Sequence, residues 1–112
     1  MSKFNECMAD YLAQNAEYGM GLSEELLTGV AKGLGPSIYN ADSSKVSGSD
    51  ETEKETVKQN FLIKKLGLAD GPELMAAIDE VLTKLGSSNR NKYRAVVYAA
   101  LAVKFGKEAQ FL

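Results

Sequence analysis

Apolar residues return at helical spacing along most of this chain. Phe4, Cys7, Met8, Tyr11 and Leu12 fall on one stripe, which predicts a helix over about 4–18. Ser2 is its expected N-cap, and Gly19 and Gly21 end it. Ser23 opens a second helix, with Glu24 and Glu25 in the turn where the helix dipole favours acids. Leu26, Leu27, Val30, Ala31 and Leu34 form its inner face, and Pro36 stops it. Ile38 and Tyr39, in the breaker-rich stretch 33–40, are expected to fold back onto the core. Residues 41–49 are small and polar without periodicity, so they predict a mobile surface loop. A third helix starts at Asp50, with Glu53 at the capping-box spacing and Val57, Phe61, Leu62 and Leu66 facing inward. A fourth starts near Asp70, with Pro72 in its first turn and Glu73 closing a second capping box. Its stripe is Leu74, Ile78, Val81, Leu82 and Leu85.

The last helix breaks the striped pattern. It is capped by Ser87 or Ser88 and runs to about Phe105. Residues 95–103 are all apolar, so the helix is apolar on every side, and such a helix is normally buried. It is expected to be a central post that the other four wrap. Burying Val96, Val97, Leu101 and Val103 stabilises by roughly 1.5–3 kcal/mol each before entropy, a sum comparable to the net stability of a domain. Nothing alternates with period two. The fold expected is all-α: a single-domain bundle of about five helices over 1–112, with the C-terminal helix central. The triplets Lys65-Leu66-Gly67, Lys84-Leu85-Gly86 and Lys104-Phe105-Gly106 read as helix ends, with glycine at the left-handed position and lysine against the negative dipole end.

Composition narrows the function. A formal charge of −2 argues against a protein that coats nucleic acid. The single cysteine, Cys7, cannot form an intrachain disulfide, which points to a reducing compartment. The longest apolar run is nine residues, far below the roughly 20 that span a bilayer, and the start has no apolar signal core. A soluble cytoplasmic protein with no membrane partner is expected. Histidine is absent, which removes the usual general base and every Ser-His or Cys-His pair. The chain therefore reads as a non-enzyme, with no cofactor or metal expected.

Ser87, Ser88, Arg90, Lys92 and Arg94 form the candidate site. Three cations stand at the start of the last helix, where the dipole mildly disfavours them. Free N–H groups, two hydroxyls and two guanidinium groups would together suit a phosphate or carboxylate. The plainer reading is that Arg90 and Arg94 pair with acids on a neighbouring helix or stay solvated. Gly29 to Ser37 is glycine-rich, but Leu34 follows Gly33 where a phosphate loop needs a second glycine and lysine. The stretch from Asp42 to Glu53 has calcium-loop length, but Val46 and Ser47 fill positions that need an oxygen ligand and a glycine. Cys7 reads as an inert thiol on an apolar stripe, and Met8, Met20 and Met75 as fillers. Tyr93 alone is too little for base stacking. The tail carries Phe111 and Leu112, which could serve a contact with a second copy.

The strings Lys32-Gly33-Leu34-Gly35-Pro36-Ser37-Ile38-Tyr39-Asn40, Asn60-Phe61-Leu62-Ile63-Lys64-Lys65-Leu66-Gly67-Leu68 and Asn91-Lys92-Tyr93-Arg94-Ala95-Val96 are distinctive. Through them the chain resembles a family of short bacterial proteins, domain of unknown function 2853, over almost its full length. The resemblance implies a small stand-alone helical protein of the cytoplasm and brings no catalytic residues. The reading is a non-enzymatic binding or protein-interaction module. Its candidate partners are a second copy of the chain and a small anion, with nucleic acid disfavoured. An anion or nucleic-acid binder acting through the basic start of the last helix is the alternative.

Overall fold

Local chemistry sets most of the helix ends. The computed structural model describes residues 3–39, 46, 51–86 and 92–111. Helix α1 spans Lys3–Glu17 and buries Met8, Tyr11 and Gln14. Its expected cap, Ser2, lies outside the described residues. The Asn15 side chain donates to the Leu22 carbonyl at 2.8 Å and accepts from the Leu22 N–H at 2.9 Å. This two-way bond fixes the turn into α2, Glu24–Leu34. Ser23 caps α2 as expected, its hydroxyl accepting from the Leu26 N–H at 3.1 Å. A 3-10 turn follows at Gly35–Tyr39. Ile38 is buried there, but Tyr39 is 45% exposed, so only one of the pair folds back. In a 3-10 turn adjacent side chains point about 120° apart, so both cannot face one core.

Helix α3 covers Glu51–Val57, and Asp50 lies outside the described residues. It continues into a π-helical turn, Lys58–Ile63. The wider turn is visible in five-residue bonds, from Lys64 N–H to the Gln59 carbonyl (3.2 Å) and from Leu66 N–H to the Phe61 carbonyl (2.9 Å). Helix α4 spans Pro72–Lys84. Gly71, not Asp70, is its N-cap, and no side chain bonds there. The Asp70 carboxylate instead pairs with Lys58 at 3.4 Å.

Helix α5 is Arg94–Lys104, shorter than expected because it starts well after Ser87 and Ser88. Ser87, Ser88, Arg90 and Asn91 lie outside the described residues. Lys92 and Tyr93 are not helical because tertiary partners take their backbone groups. The Lys92 carbonyl accepts from Val46 N–H at 2.8 Å, and Tyr93 N–H donates to Gln14 Oε1 at 3.2 Å. Val46, the only described residue of 41–49, is buried rather than on a surface loop. It is the one large apolar side chain in that stretch.

Helix α5 packs mainly on α2 and α4 and also touches α1. Ala95 through Ala99, Leu101 and Ala102 are buried. Val103 is not: it is 46% exposed, which corrects the expectation that the whole run is covered. It borders a shallow surface groove with Met20, Leu22, Val81 and Ala100. After Gly106 the chain turns back, and a second 3-10 turn, Glu108–Phe111, packs on α2 and α5. The described residues thus form an all-α globule of five helices around α5. Among them no helix is long and apolar enough to cross a membrane.

Candidate functional site

Two of the five predicted site residues, Lys92 and Arg94, are among the described residues; Ser87, Ser88 and Arg90 lie outside them. Lys92 is buried, only 3% exposed, and burial pushes its ammonium below the usual lysine range. Arg94 extends from the first turn of α5 toward α3. Its guanidinium donates to the Tyr98 hydroxyl at 2.9 Å, forms an ion pair with Glu53 and lies 5.6 Å from the Tyr98 ring centre. Burial alone would lower the guanidinium's pKa; Tyr98 and Glu53 outweigh it and hold it above its ordinary value. The plainer expectation for Arg94, pairing with an acid on a neighbouring helix, describes this contact. Glu53 serves as the counter-ion; the capping box expected with Asp50 lies outside the described residues. A cation in the first turn of α5 opposes the dipole by a few tenths of a kcal/mol, and a half-buried carboxylate offsets that readily.

The Arg94 contact is one end of a longer arrangement. Tyr98 stacks on Phe61 with ring centres 4.0 Å apart and planes 19° from parallel. Phe61 stacks in turn on Phe111, at 6.0 Å and 21°. Lys65 Nζ lies 5.9 Å from the Phe111 ring centre. Three rings from α5, the π-helical turn and the C-terminal turn therefore form a column, with a cation at each end. The negative ring faces make those end positions favourable for cations.

A cleft of about 220 Å³ opens beside the column. Val30 and Leu34 of α2 form one side; Asn60, Phe61 and Lys65 form another; Tyr98 and Phe111 complete it. The π-helical turn matters here, since such turns are frequent at functional sites. It shifts the register of Asn60 and Phe61 relative to a regular helix and places both at the cleft. Gly29 explains how Phe111 reaches this position. A Cβ on Gly29 would collide with the Phe111 carbonyl oxygen and lie 2.8 Å from the carbonyl carbon. A glycine inside α2 costs helix stability, and here it admits the C-terminal turn. Phe111, expected as a contact for a second copy, is used inside its own chain, because a cleft wall lies within reach of the turn after Gly106.

Sequence reasoning missed this cleft. Phe61 looked like one more core residue, Lys65 like a helix-end cation, and Phe111 like a loose tail. The available signals were the interior Gly29 and three aromatic residues with nothing in the sequence to group them.

Elsewhere, Cys7 is half-buried, with its thiol donating to the Ile38 carbonyl at 3.8 Å. Tyr11 meets Tyr93 edge to face at 5.4 Å. Burial, and then the neighbouring Cys7, push the Tyr11 hydroxyl well above the ordinary tyrosine range. Among the described residues no three Cys, Asp or Glu side chains come together as metal ligands.

No curated protein matches this chain. The family model described as "Protein of unknown function (DUF2853)" matches residues 10–109, from the middle of α1 into the C-terminal turn, so the chain belongs to that family.

Proposed function

We propose that this protein is a non-enzymatic binding module whose site is the aromatic cleft between α2, the π-helical turn and the C-terminal turn. The observation that carries the reading is the convergence of the π-helical turn and the ring column on one open cleft. The lining favours binding over chemistry. Among the described residues its only titratable groups are Lys65 and the Tyr98 hydroxyl, and that hydroxyl is engaged by Arg94. A nucleophile with an adjacent base is what covalent or acid–base catalysis would need there. The lone free thiol and the lack of histidine fit a cytoplasmic setting for such a module. Amide chemical-shift mapping with a fragment mixture tests the site. Shifts should cluster at Leu34, Asn60, Phe61, Lys65 and Phe111. Shifts confined to other surfaces would refute the assignment.

A second reading is self-association through the end of α5. Its support is the exposed Val103 and the groove beside it, where Met20, Leu22, Val81 and Ala100 are flanked by Glu80, Lys84 and Lys104. Sedimentation at rising concentration tests this, and a monomer throughout removes it. An anion or nucleic-acid role for Ser87, Ser88, Arg90, Lys92 and Arg94 has less support, because Arg94 would have to exchange Glu53 for the ligand.

A further inference from the structure

We infer that the cleft takes a small planar aromatic carboxylate, an inference that rests on the binding-module reading above. Size sets the first limit. An apolar cavity of about 150 Å³ holds a benzene, so about 220 Å³ admits one ring system with a short polar group. Shape sets the second. Three of the lining residues, Phe61, Tyr98 and Phe111, are aromatic, and aromatic surface favours a flat aromatic occupant.

Charge selects within that class. Among the described residues, Lys65 is the one charged side chain lining the cleft. Among the described residues no carboxylate forms an ion pair with it; its recorded contact is the Phe111 ring face at 5.9 Å. That cation–π contact is weak at an exposed site. A carboxylate on a bound ring would offer the ammonium a charge-assisted hydrogen bond, which is the stronger interaction. The Asn60 amide adds donors on the same side. A cationic ligand would find no acid in the lining and would face Lys65. A neutral arene would fill the walls and leave the ammonium unused.

Titration calorimetry with 2-naphthoate, 2-naphthylmethanol and 2-naphthylmethylammonium at low salt tests the inference. Naphthoate is expected to bind about tenfold tighter than the alcohol, and the ammonium compound more weakly than either. Lys65→Gln should abolish that preference, bringing the acid's affinity down to about the alcohol's. Lys65 is exposed, so this variant should keep the native melting temperature. Phe61→Leu should weaken all three ligands. Equal binding of acid and alcohol, or an acid preference that survives Lys65→Gln, would overturn the carboxylate assignment while leaving the cleft as a binding site. If no ring compound of any charge binds, and fragment mapping shows no shift at the cleft, the binding-module reading fails with it.

Discussion

Val97 and Val103 are the same side chain on the same helix, and their surroundings are opposite. Val97, in the first half of α5, is fully buried, whereas Val103, in the last turn, is 46% exposed. Both belong to one unbroken apolar run. A helix that is apolar all round can be covered all round only where neighbours exist on every side. The middle of α5 has them. The last turn opens onto a shallow groove and ends beside the Lys104–Glu80 ion pair. Apolar composition therefore states what a segment tolerates, and the neighbouring helices decide what is covered.

The largest expected effect comes from placing one charge at each of these positions. Val97→Asp buries a carboxylate with no partner, costing about 5 kcal/mol or more, comparable to the stability of a whole domain. The variant should be unfolded at room temperature by circular dichroism. Val103→Asp should stay within about 0.5 kcal/mol of the parent in urea unfolding. A stable Val97→Asp protein, or an unfolded Val103→Asp protein, would break the contrast.

A smaller effect is expected at the start of α5. Glu53→Gln leaves the Arg94 guanidinium, whose side chain is only 12% exposed, without its carboxylate. The loss should be about 1–3 kcal/mol in urea unfolding. A change near zero would mean that the ion pair adds nothing to the hydrogen bonds and packing that hold this end of the helix.

Gly29→Ala tests the C-terminal turn. Alanine adds about 1 kcal/mol of helix propensity but excludes the Phe111 carbonyl, so the two effects should largely cancel in melting temperature. The distinguishing readout is Phe111 itself. Its ring should leave the Phe61 stack, lose its upfield-shifted resonances and become accessible to carboxypeptidase. Unchanged Phe111 resonances would show that the turn can shift without releasing its contact.

The smallest effect belongs to the outer end of α5. Lys104→Ala removes an exposed ion pair with Glu80 at 2.8 Å. The cost should not exceed about 0.5 kcal/mol and should fade in salt. A loss above 1 kcal/mol would show that the last turn is held more tightly than its exposure suggests.

Much of the fold was legible in the chain. The helix count, the cap at Ser23, the stripe of α4 and the central place of α5 all follow from spacing that is local along the sequence. The misreadings have a shared cause. Asp70, Lys92 and Tyr93 were assigned local jobs at helix starts, and each is engaged by a partner on another element. Tyr93 went to Gln14, 79 residues back. The cleft was harder still to foresee, because its walls come from four separate elements and one of them is a π-helical turn that no 3.6-residue pattern encodes.

By itself the sequence determined that the chain forms amphipathic helices, where most of them stop, and that one segment is apolar enough to sit among the others. These are short-range matters of side-chain spacing, backbone freedom and capping. Only the tertiary structure decided which valine of that segment meets water, which acid neutralises Arg94, and which rings stack beside Lys65. Those outcomes depend on distances between residues remote in sequence, and the packing of helices sets such distances.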